Sequence, residues 1–398
     1  MKNKASLTVI FITVFIDLLG FGLLIPILPT FASKELNISD FEIGVIVASF
    51  SFMQFIFNPI IGSYSDRVGR RPVILITLLI TSLSYIIFSF STSFLILLFS
   101  RMLGGFGGSN IAVAQAYIAD ITPENERTKG MGLIGAAFGL GFVFGPMMGG
   151  ILAEYGYEVV GYAAALFSFI AFIFASILLK ESMIKKQNRK SLNLNVFNPS
   201  VYIALVNEKR LAFQILIYFV IIFSMANIYG TFALLAYHVY DFSDKQIGYL
   251  FSIIGIVGAI VQGGLLRQLS EYIKDEKLVL IGIFFMMIGL TGLPYGINFA
   301  GVAIIGGFLA IGSGILQPTI LGLVSKEAKK ENQGSILGLN QSLASLARVL
   351  GPLWGGIAYE YIGYQFPFLT GGLFTFFALL FSFYFLNSKS YTEKITDV

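Results

Sequence analysis

Three ionisable side chains lie deep inside long apolar stretches of this sequence: Asp17, Arg101 and Arg348. A charge at the centre of a membrane helix costs about 2.5–3.5 kcal/mol on an insertion scale, so such residues face water or one another. The proton affinity of a buried carboxylate changes with its exposure and with its distance from a cation. Asp17 and Arg101 are therefore candidates for proton coupling. The alternative is a structural Asp–Arg bridge between two helices.

The composition excludes most other kinds of site. The 398 residues include no cysteine and one histidine, His238, which excludes disulfides, thiolate metal sites and histidine clusters. Only 12% of the residues are charged and 56% are hydrophobic, whereas soluble domains carry about 25% charged residues. We therefore expect an integral membrane protein that is not an enzyme and that uses neither a cofactor nor a bound metal.

Apolar stretches of about 20 residues, long enough to cross a hydrocarbon core, recur along the whole chain. Span 1 follows Lys2 and Lys4 as the core of a signal peptide would, but its apolar run is too long and lacks a clear cleavage site. A retained helix is therefore favoured, and the fold class is an all-α polytopic membrane protein with twelve transmembrane helices. The predicted spans, numbered 1 to 12, are 7–29, 43–63, 72–90, 94–119, 130–154, 158–180, 211–237, 246–268, 277–297, 299–324, 334–358 and 366–386.

The distribution of basic residues supports this number of spans, because cytoplasmic loops of membrane proteins are enriched in Lys and Arg. With both termini inside, 22 of the 26 basic residues fall on the cytoplasmic side and two, Lys34 and Lys245, fall outside. An error of one span would destroy this asymmetry. We expect a multi-pass protein of the cell (inner) membrane with cytoplasmic N and C termini. The net charge of +4 then requires no nucleic-acid partner.

The two halves of the chain are related by an internal repeat. At an offset of 206 residues, segment 145–151 (GPMMGGI) matches segment 351–357 (GPLWGGI), so spans 5 and 11 are equivalent. Parallel repeats are typical of transporters whose site lies between the halves near the membrane midplane. We predict two pseudo-symmetric six-helix bundles, 1–180 and 211–398, joined by a cytoplasmic linker, 181–210. Contact with anionic lipid is an alternative role for this basic linker.

Polar side chains accompany the three charges. A rise of 1.5 Å per residue places Asp17 about 15 Å above the cytoplasmic face, and Arg101 and Arg348 about 20 Å above it. Each nearby amide suits an interhelical hydrogen bond as well as it suits a substrate contact, but together they predict a wet central cavity for an anionic or amphipathic substrate. The candidate cavity residues are Gln54, Asn58, Gln115, Asn227, Gln262, Gln317, Asn340, Gln341 and Arg348.

Several motifs in these spans resemble those of a known family. Segment 62–71 (GSYSDRVGRR), between spans 2 and 3, looks like the signature cytoplasmic loop of the major facilitator superfamily. The surroundings of Asp17, Arg101 with the glycines that follow it, and segment 141–150 (GFVFGPMMGG) resemble the drug:proton antiporters of that superfamily, particularly the tetracycline efflux pumps. Unlike those pumps, spans 8 and 9 lack a membrane histidine and aspartate, and Arg348 is an additional charge.

The resemblance implies two bundles that rock about a central cavity by alternating access, with Asp17 and Arg101 in proton coupling. It also implies a cytoplasmic latch, whose carboxylate and arginines we expect to pair only when the halves close, and a hinge in span 5. The implied latch residues are Gly62, Asp66, Arg67, Gly69, Arg70 and Arg71, and the hinge residues are Gly141, Gly145, Pro146, Gly149 and Gly150.

These features predict secondary active transport, with export of an amphipathic or anionic small molecule such as a drug in exchange for protons. The alternative is a proton symporter or a facilitator for a polar metabolite or lipid-linked solute. A small-molecule substrate, protons and the lipid bilayer are the expected partners, and we expect the protein to function as a monomer.

Overall fold

Helices form nearly all of the regular structure. The structure is a computed structural model that describes residues 2–123, 127–182, 209–327 and 333–387, and no strand occurs within these ranges. The first half contains α1 (Lys2–Lys34), α2 (Asp40–Val68), α3 (Arg70–Ser89), α4 (Phe94–Gly107), α5 (Asn110–Ile121), α6 (Arg127–Ala153) and α7 (Tyr157–Leu178). The second half contains α8 (Lys209–His238), α9 (Asp244–Ile260), α10 (Leu266–Tyr272), α11 (Asp275–Gly292), α12 (Phe299–Glu327), α13 (Gln333–Tyr361) and α14 (Phe366–Asn387). The predicted all-α fold class is confirmed.

The helices also match the predicted spans. Among the described residues, eleven segments are long and apolar enough to cross a membrane. The twelfth predicted span, span 11, is the 29-residue helix α13, which is long enough but more polar, because it carries Arg348 and several amide and hydroxyl side chains. Span 4 consists of α4 followed by α5, and span 8 consists of α9, a π-helical turn (Val261–Leu265) and α10.

Helix packing follows the two halves of the repeat. In the first half α1 packs on α6 and α7, and in the second half α8 packs on α13 and α14. The main contacts between the halves join α6 to α9 and α2 to α13, which are the two helix pairs that the repeat makes equivalent. The domain boundaries stay a prediction, because residues 183–208 of the linker lie outside the described residues.

Glycines allow span 4 to break near its middle, between α4 and α5. A Cβ on Gly105 would overlap the carbonyl oxygen of Phe50, and a Cβ on Gly107 would overlap the hydroxyl of Thr81. Helices α2 and α3 therefore approach α4 too closely for larger residues, as small residues in membrane helices permit. At the break, the carbonyl oxygen of Gly108 accepts a hydrogen bond from the side chain of Gln54. Such a bond satisfies backbone that leaves the helical pattern at membrane depth.

The glycine-proline motif of α6 has two contacting faces. Gly141, Gly145 and Gly149 pack on α1 within the first half, where a Cβ on Gly145 would lie 2.6 Å from the Cα of Gly22. Pro146 and Gly150, on the adjacent face, pack on α9 of the second half. A single motif thus fixes α6 to its own bundle and brings it to the other one.

The repeat reproduces this arrangement in α13. Gly351 and Gly355 pack on α8, whereas Pro352 and Gly356 pack on α2, where a Cβ on Gly44 would lie 2.5 Å from the carbonyl oxygen of Pro352. The two contacts between halves are therefore related by the pseudo-twofold symmetry that the 206-residue offset predicts.

We name the two ends of the molecule after the predicted orientation, so the external end is the one at which α2 and α9 begin. There, Glu154 pairs with Lys245 across the halves at 3.3 Å, and Glu360 accepts a hydrogen bond from the backbone N–H of Phe41 at 2.7 Å. Phe41 and Lys245 are each the second residue of their helix, α2 and α9 respectively. Two further contacts cross the halves at this end: Tyr157 Oη donates to Asp244 Oδ2 (2.8 Å), and Ser33 Oγ lies 3.0 Å from His238 Nε2.

The same helices separate toward the cytoplasmic end. Helices α6 and α9 run antiparallel, and their contacts end where a Cβ on Gly255 would lie 2.9 Å from the carbonyl oxygen of Phe142. The next glycines in this register, Gly139 and Gly258, have no neighbouring atom within 4 Å of a Cβ. The halves are therefore closed at the external end and apart below it, which is an inward-facing arrangement in the predicted orientation.

Candidate substrate and proton pathway

Asp17 lies inside the first half, in a pocket made by three helices. Its side chain projects from α1 and the residue is 6% exposed. Asn110 Nδ2, at the start of α5, donates to Asp17 Oδ2 at 2.7 Å, and Ser168 Oγ on α7 donates to Asp17 Oδ1 at 2.7 Å. Both carboxylate oxygens thus have neutral donors, and the break in span 4 places one of them.

Arg101 is also buried in the first half, at 6% exposure, but it does not pair with Asp17. Its guanidinium lies over the ring of Phe50, with 4.7 Å between the guanidinium carbon and the ring centroid, and no described carboxylate lies within ion-pairing distance. A cation over an aromatic face is stabilised by the ring quadrupole. The Asp–Arg bridge, which the sequence left open as the structural alternative, is therefore not formed: Asp17 has neutral donors and Arg101 has an aromatic ring.

Tyr85 connects the surroundings of the two residues. It is 2% exposed on α3, and its phenol interacts electrostatically with both Asp17 and Arg101. A Cβ on Gly20, one turn along α1 from Asp17, would lie 3.4 Å from the ring of Tyr85 and 3.5 Å from Ser168 Oγ. Asp17, Tyr85 and Arg101 therefore belong to one buried region of the first half, although Asp17 and Arg101 do not touch.

Most of the predicted cavity amides lie on partly or fully open surfaces. Gln54, Asn58 and Gln317 are half-buried, whereas Gln115, Gln262 and Gln341 are exposed. Gln262 occupies the π-helical turn of span 8, a feature that is frequent at functional sites.

Two predicted cavity residues lie elsewhere. Asn227 is fully buried at 0% exposure and donates to the carbonyl oxygen of Pro367 at 2.5 Å, while a Cβ on Gly355 would meet its side chain. Asn340 is 1% exposed, on the ridge of α13 that contacts α8. Both are buried between helices, where the side-chain amide of Asn340 has no hydrogen-bond partner among the described residues, and neither lines an open cavity in this structure.

Arg348 lies on α13 and is half-buried. Its guanidinium donates to Ser345 Oγ at 3.2 Å, and its electrostatic neighbours are Tyr229 and Tyr218 of α8. As with Arg101, no described carboxylate lies within ion-pairing distance.

The signature loop forms a cluster centred on Arg70, which is 7% exposed. Its guanidinium pairs with Asp66 and with Asp120 at 3.0 Å, and donates to Ser65 Oγ at 2.5 Å and to the carbonyl oxygen of Gly62 at 3.3 Å. These partners all belong to the first half. The expectation that Asp66 and Arg70 pair only when the halves close was therefore wrong, since they pair here with the cytoplasmic ends apart.

The neighbouring loop residues anchor the start of α3. Gly69 has φ +115°, a backbone conformation that favours glycine, and it provides no side chain to cap the helix. Glu181 caps it instead, accepting hydrogen bonds from the backbone N–H groups of Arg70 (3.0 Å) and Arg71 (3.1 Å). Arg71 also donates to the carbonyl oxygen of Ser176 at 2.6 Å, whereas Arg67 is exposed.

The sequence did not reveal Asn110, Ser168, Tyr85 or Glu181 as site residues. Each is a common residue type in a helix or loop, and its role depends on a contact with another helix. The glycine run of span 4 was the sequence feature that came nearest to predicting one of them, because a helix break there can turn the first residues of α5, including the buried Asn110, toward other helices.

Comparison with known proteins identifies the family. The model of the Major Facilitator Superfamily matches residues 10–352 and 268–397. Multidrug resistance protein 2 of Bacillus subtilis (strain 168) is 32% identical over 378 residues, covering 93% of this chain and 92% of the relative. Tetracycline resistance protein, class B, of Escherichia coli is 29% identical over 366 residues, covering 90% and 89%.

Solved structures agree with this result. The human organic anion transporter MFSD10 (TETRAN) superposes with a TM-score of 0.71 at 25% identity, covering 96% of this chain and all of that one. The nucleoside transporter NupG superposes with a TM-score of 0.77 at 17% identity, a likeness of fold alone. This chain belongs to the major facilitator superfamily and is a multi-pass membrane transporter, not an enzyme.

Proposed function

We propose that this protein exports amphipathic small molecules in exchange for protons by alternating access. The observation that carries the proposal is the pocket of Asp17, the carboxylate at membrane depth in the described spans, which is held by donors from α5 and α7. The names of similar proteins support export: they include multidrug, tetracycline and quinolone resistance proteins.

In this mechanism Asp17 carries the proton. A carboxylate held by an amide and a hydroxyl is stable in either protonation state, because a hydroxyl can donate to an anion and accept from an acid. Movement of α1 against α5 and α7 would change how many donors face the carboxylate, and therefore whether it holds the proton. Since α1 packs on both α6 and α7, rocking of the bundles can be transmitted to this pocket.

The substrate would enter the gap between the halves from the cytoplasmic end. Aromatic rings of the first half lie near the contact between α6 and α9: the half-buried Phe21 stacks on the buried Phe50 with centroids 5.0 Å apart, and the half-buried Phe142 lies edge-on to Phe21 at 6.2 Å. Aromatic rings beside amide groups suit molecules that are apolar over one part and polar over another. The proton gradient would supply the energy without a bound cofactor.

The orientation and oligomeric state belong to the same proposal. Cytoplasmic N and C termini in the cell (inner) membrane are supported by the basic residues, of which 22 of 26 fall on one side. The contacts that close the external end lie within one chain, which supports a monomeric transport unit.

Transport into inverted membrane vesicles tests the function. With an acidic interior imposed by respiration, vesicles that contain the protein should accumulate tetracycline or ethidium above the level in vesicles without it, and addition of either compound should release protons from the interior. Accumulation in right-side-out vesicles instead would favour the alternative, uptake by symport. Equilibration without accumulation in either orientation would favour a facilitator.

A further inference from the structure

Arg348 lies on a ridge of α13 that faces the other half of the molecule. Residues 341, 345, 348, 352 and 356 fall within a narrow arc of the helix, and Pro352 and Gly356 of this ridge contact α2. Exposure increases along the ridge toward the cytoplasm: Pro352 is buried, Arg348 half-buried and Gln341 exposed. The ridge therefore leaves the contact with α2 and enters the gap between the halves at about the level of Arg348.

The guanidinium of Arg348 is poorly neutralised by its own protein. Its hydrogen-bond partner is Ser345 on the same helix, and its electrostatic neighbours are the phenols of Tyr229 and Tyr218. In the described part of the chain, no carboxylate lies within ion-pairing distance. Since a charge at this depth is costly, a charge that is kept without a counterion points to an anion that arrives from outside the protein.

The repeat places an aromatic ring at the equivalent position in the first half. Arg348 corresponds to Phe142 at the offset of 206 residues, so the two lie at equal depth on opposite sides of the pseudo-twofold axis. Phe142 is half-buried beside Phe21 and Phe138. The gap between the halves thus has an apolar aromatic wall on one side and a cation on the other.

We propose that Arg348, with Tyr229 beside it, forms a subsite for the acidic group of a substrate, so that the transported molecules include aromatic acids. The subsite rests on the proposed function, because it lies in the gap through which the substrate passes. An arginine fork binds a carboxylate through two parallel hydrogen bonds, and the aromatic wall around Phe142 accommodates the ring system of the same molecule.

The test compares two probes of nearly equal size, naphthalene-2-carboxylate and naphthalene-2-carboxamide. Binding to the purified protein is measured by thermal stabilisation and by isothermal titration calorimetry. We expect the carboxylate to bind wild type at least about tenfold more tightly than the carboxamide, as a hydrogen bond to a charged group implies. Equal binding of the two probes, or binding of neither, would overturn the subsite without any variant.

Three variants decide whether Arg348 is responsible. Arg348→Gln should abolish the preference for the carboxylate while leaving carboxamide binding within about twofold of wild type, and Arg348→Lys should retain part of the preference. Arg267→Gln, which removes an exposed arginine at the cytoplasmic end, is the control for net charge and should behave as wild type. A preference that survives in Arg348→Gln, or that is lost equally in the control, contradicts the assignment.

This binding experiment is independent of the proton gradient. Failure of wild type to accumulate ethidium in vesicles would overturn the proposed antiport and leave the binding preference standing. Conversely, antiport of ethidium by a protein that does not prefer the carboxylate would overturn the subsite alone.

Discussion

Ser168 is the residue whose role in the Asp17 pocket can be tested most simply. Its hydroxyl donates to Asp17 Oδ1, and loss of a partner leaves a buried polar atom unsatisfied at a cost of about 1–3 kcal/mol. Ser168→Ala should therefore lower the thermal midpoint of the purified protein and reduce proton-driven accumulation. Midpoints in detergent micelles and accumulation in vesicles are the measurements.

Ser176→Ala is the matched control on the same helix. The hydroxyl of Ser176 donates only to the carbonyl oxygen of Ile173 one turn away, and we expect its loss to leave both measurements within error of wild type. Equal effects of the two substitutions would mean that Ser168 contributes no more than a local bond on α7.

At this scale the sequence predicted the charged residues but not their partners. Asp17, Arg101 and Arg348 are conspicuous because each interrupts an apolar span. Asn110 and Ser168 are not, because a serine or asparagine in a membrane helix has many possible neighbours. Depth along the helix axis placed Asp17 and Arg101 in one layer of the membrane. Depth does not show how each helix is rotated about its own axis, and it is the rotation of α4 that points Arg101 toward Phe50.

At the scale of helices, the effect of replacing a glycine in α6 depends on the face of the helix on which that glycine lies. Gly149 packs on α1, where a Cβ would overlap the carbonyl oxygen of Leu23, whereas Gly139 has no neighbouring atom within 4 Å. Gly149→Ala should therefore destabilise the protein and reduce transport, because two backbones would have to separate.

Gly139→Ala makes the same chemical change ten residues earlier on the same helix. Alanine is favoured over glycine in a helix interior by about 1 kcal/mol, so this variant should be as stable as wild type or slightly more stable. Thermal unfolding of both variants in one detergent provides the comparison, and a larger loss in Gly139→Ala would show that α6 is packed differently.

The repeat allowed the sequence to predict these elements well. Segment 145–151 and its copy at 351–357 predicted equivalent helices, and the structure gives each the same two contacts, one within its half and one across. The sequence could not show that the pairing is α6 with α9 and α2 with α13, because a repeat establishes equivalence without identifying neighbours.

At the scale of the molecule, the external end is held closed by a few polar contacts between the halves. Lys245 pairs with Glu154 at 3.3 Å, and both side chains are partly exposed, so the pair contributes at most about 1 kcal/mol. Lys245→Gln should shift the population toward an open external end by about two- to fivefold. Lys326→Gln, which breaks an exposed pair with Asp275 inside one half, should not shift it.

The absence of cysteine makes this shift measurable. Cysteines for spin labels can be introduced at Tyr155 in the first half and Ile297 in the second half, both of which are exposed. Pulsed electron paramagnetic resonance would then report the distance between the labels across the external end. A longer-distance population that grows in Lys245→Gln but not in Lys326→Gln is expected. Identical distance distributions in both variants would mean that the Glu154–Lys245 pair does not bias closure.

Proton-driven accumulation by Asp17→Asn in inverted vesicles tests the central claim most directly, with Glu271→Gln, an exposed carboxylate of α10, as the control. Because asparagine has nearly the size of aspartate and keeps one acceptor oxygen but cannot ionise, the variant should still equilibrate ethidium down its gradient and should fail to concentrate it. The control should concentrate it as wild type does. Full uphill accumulation by Asp17→Asn would contradict the account.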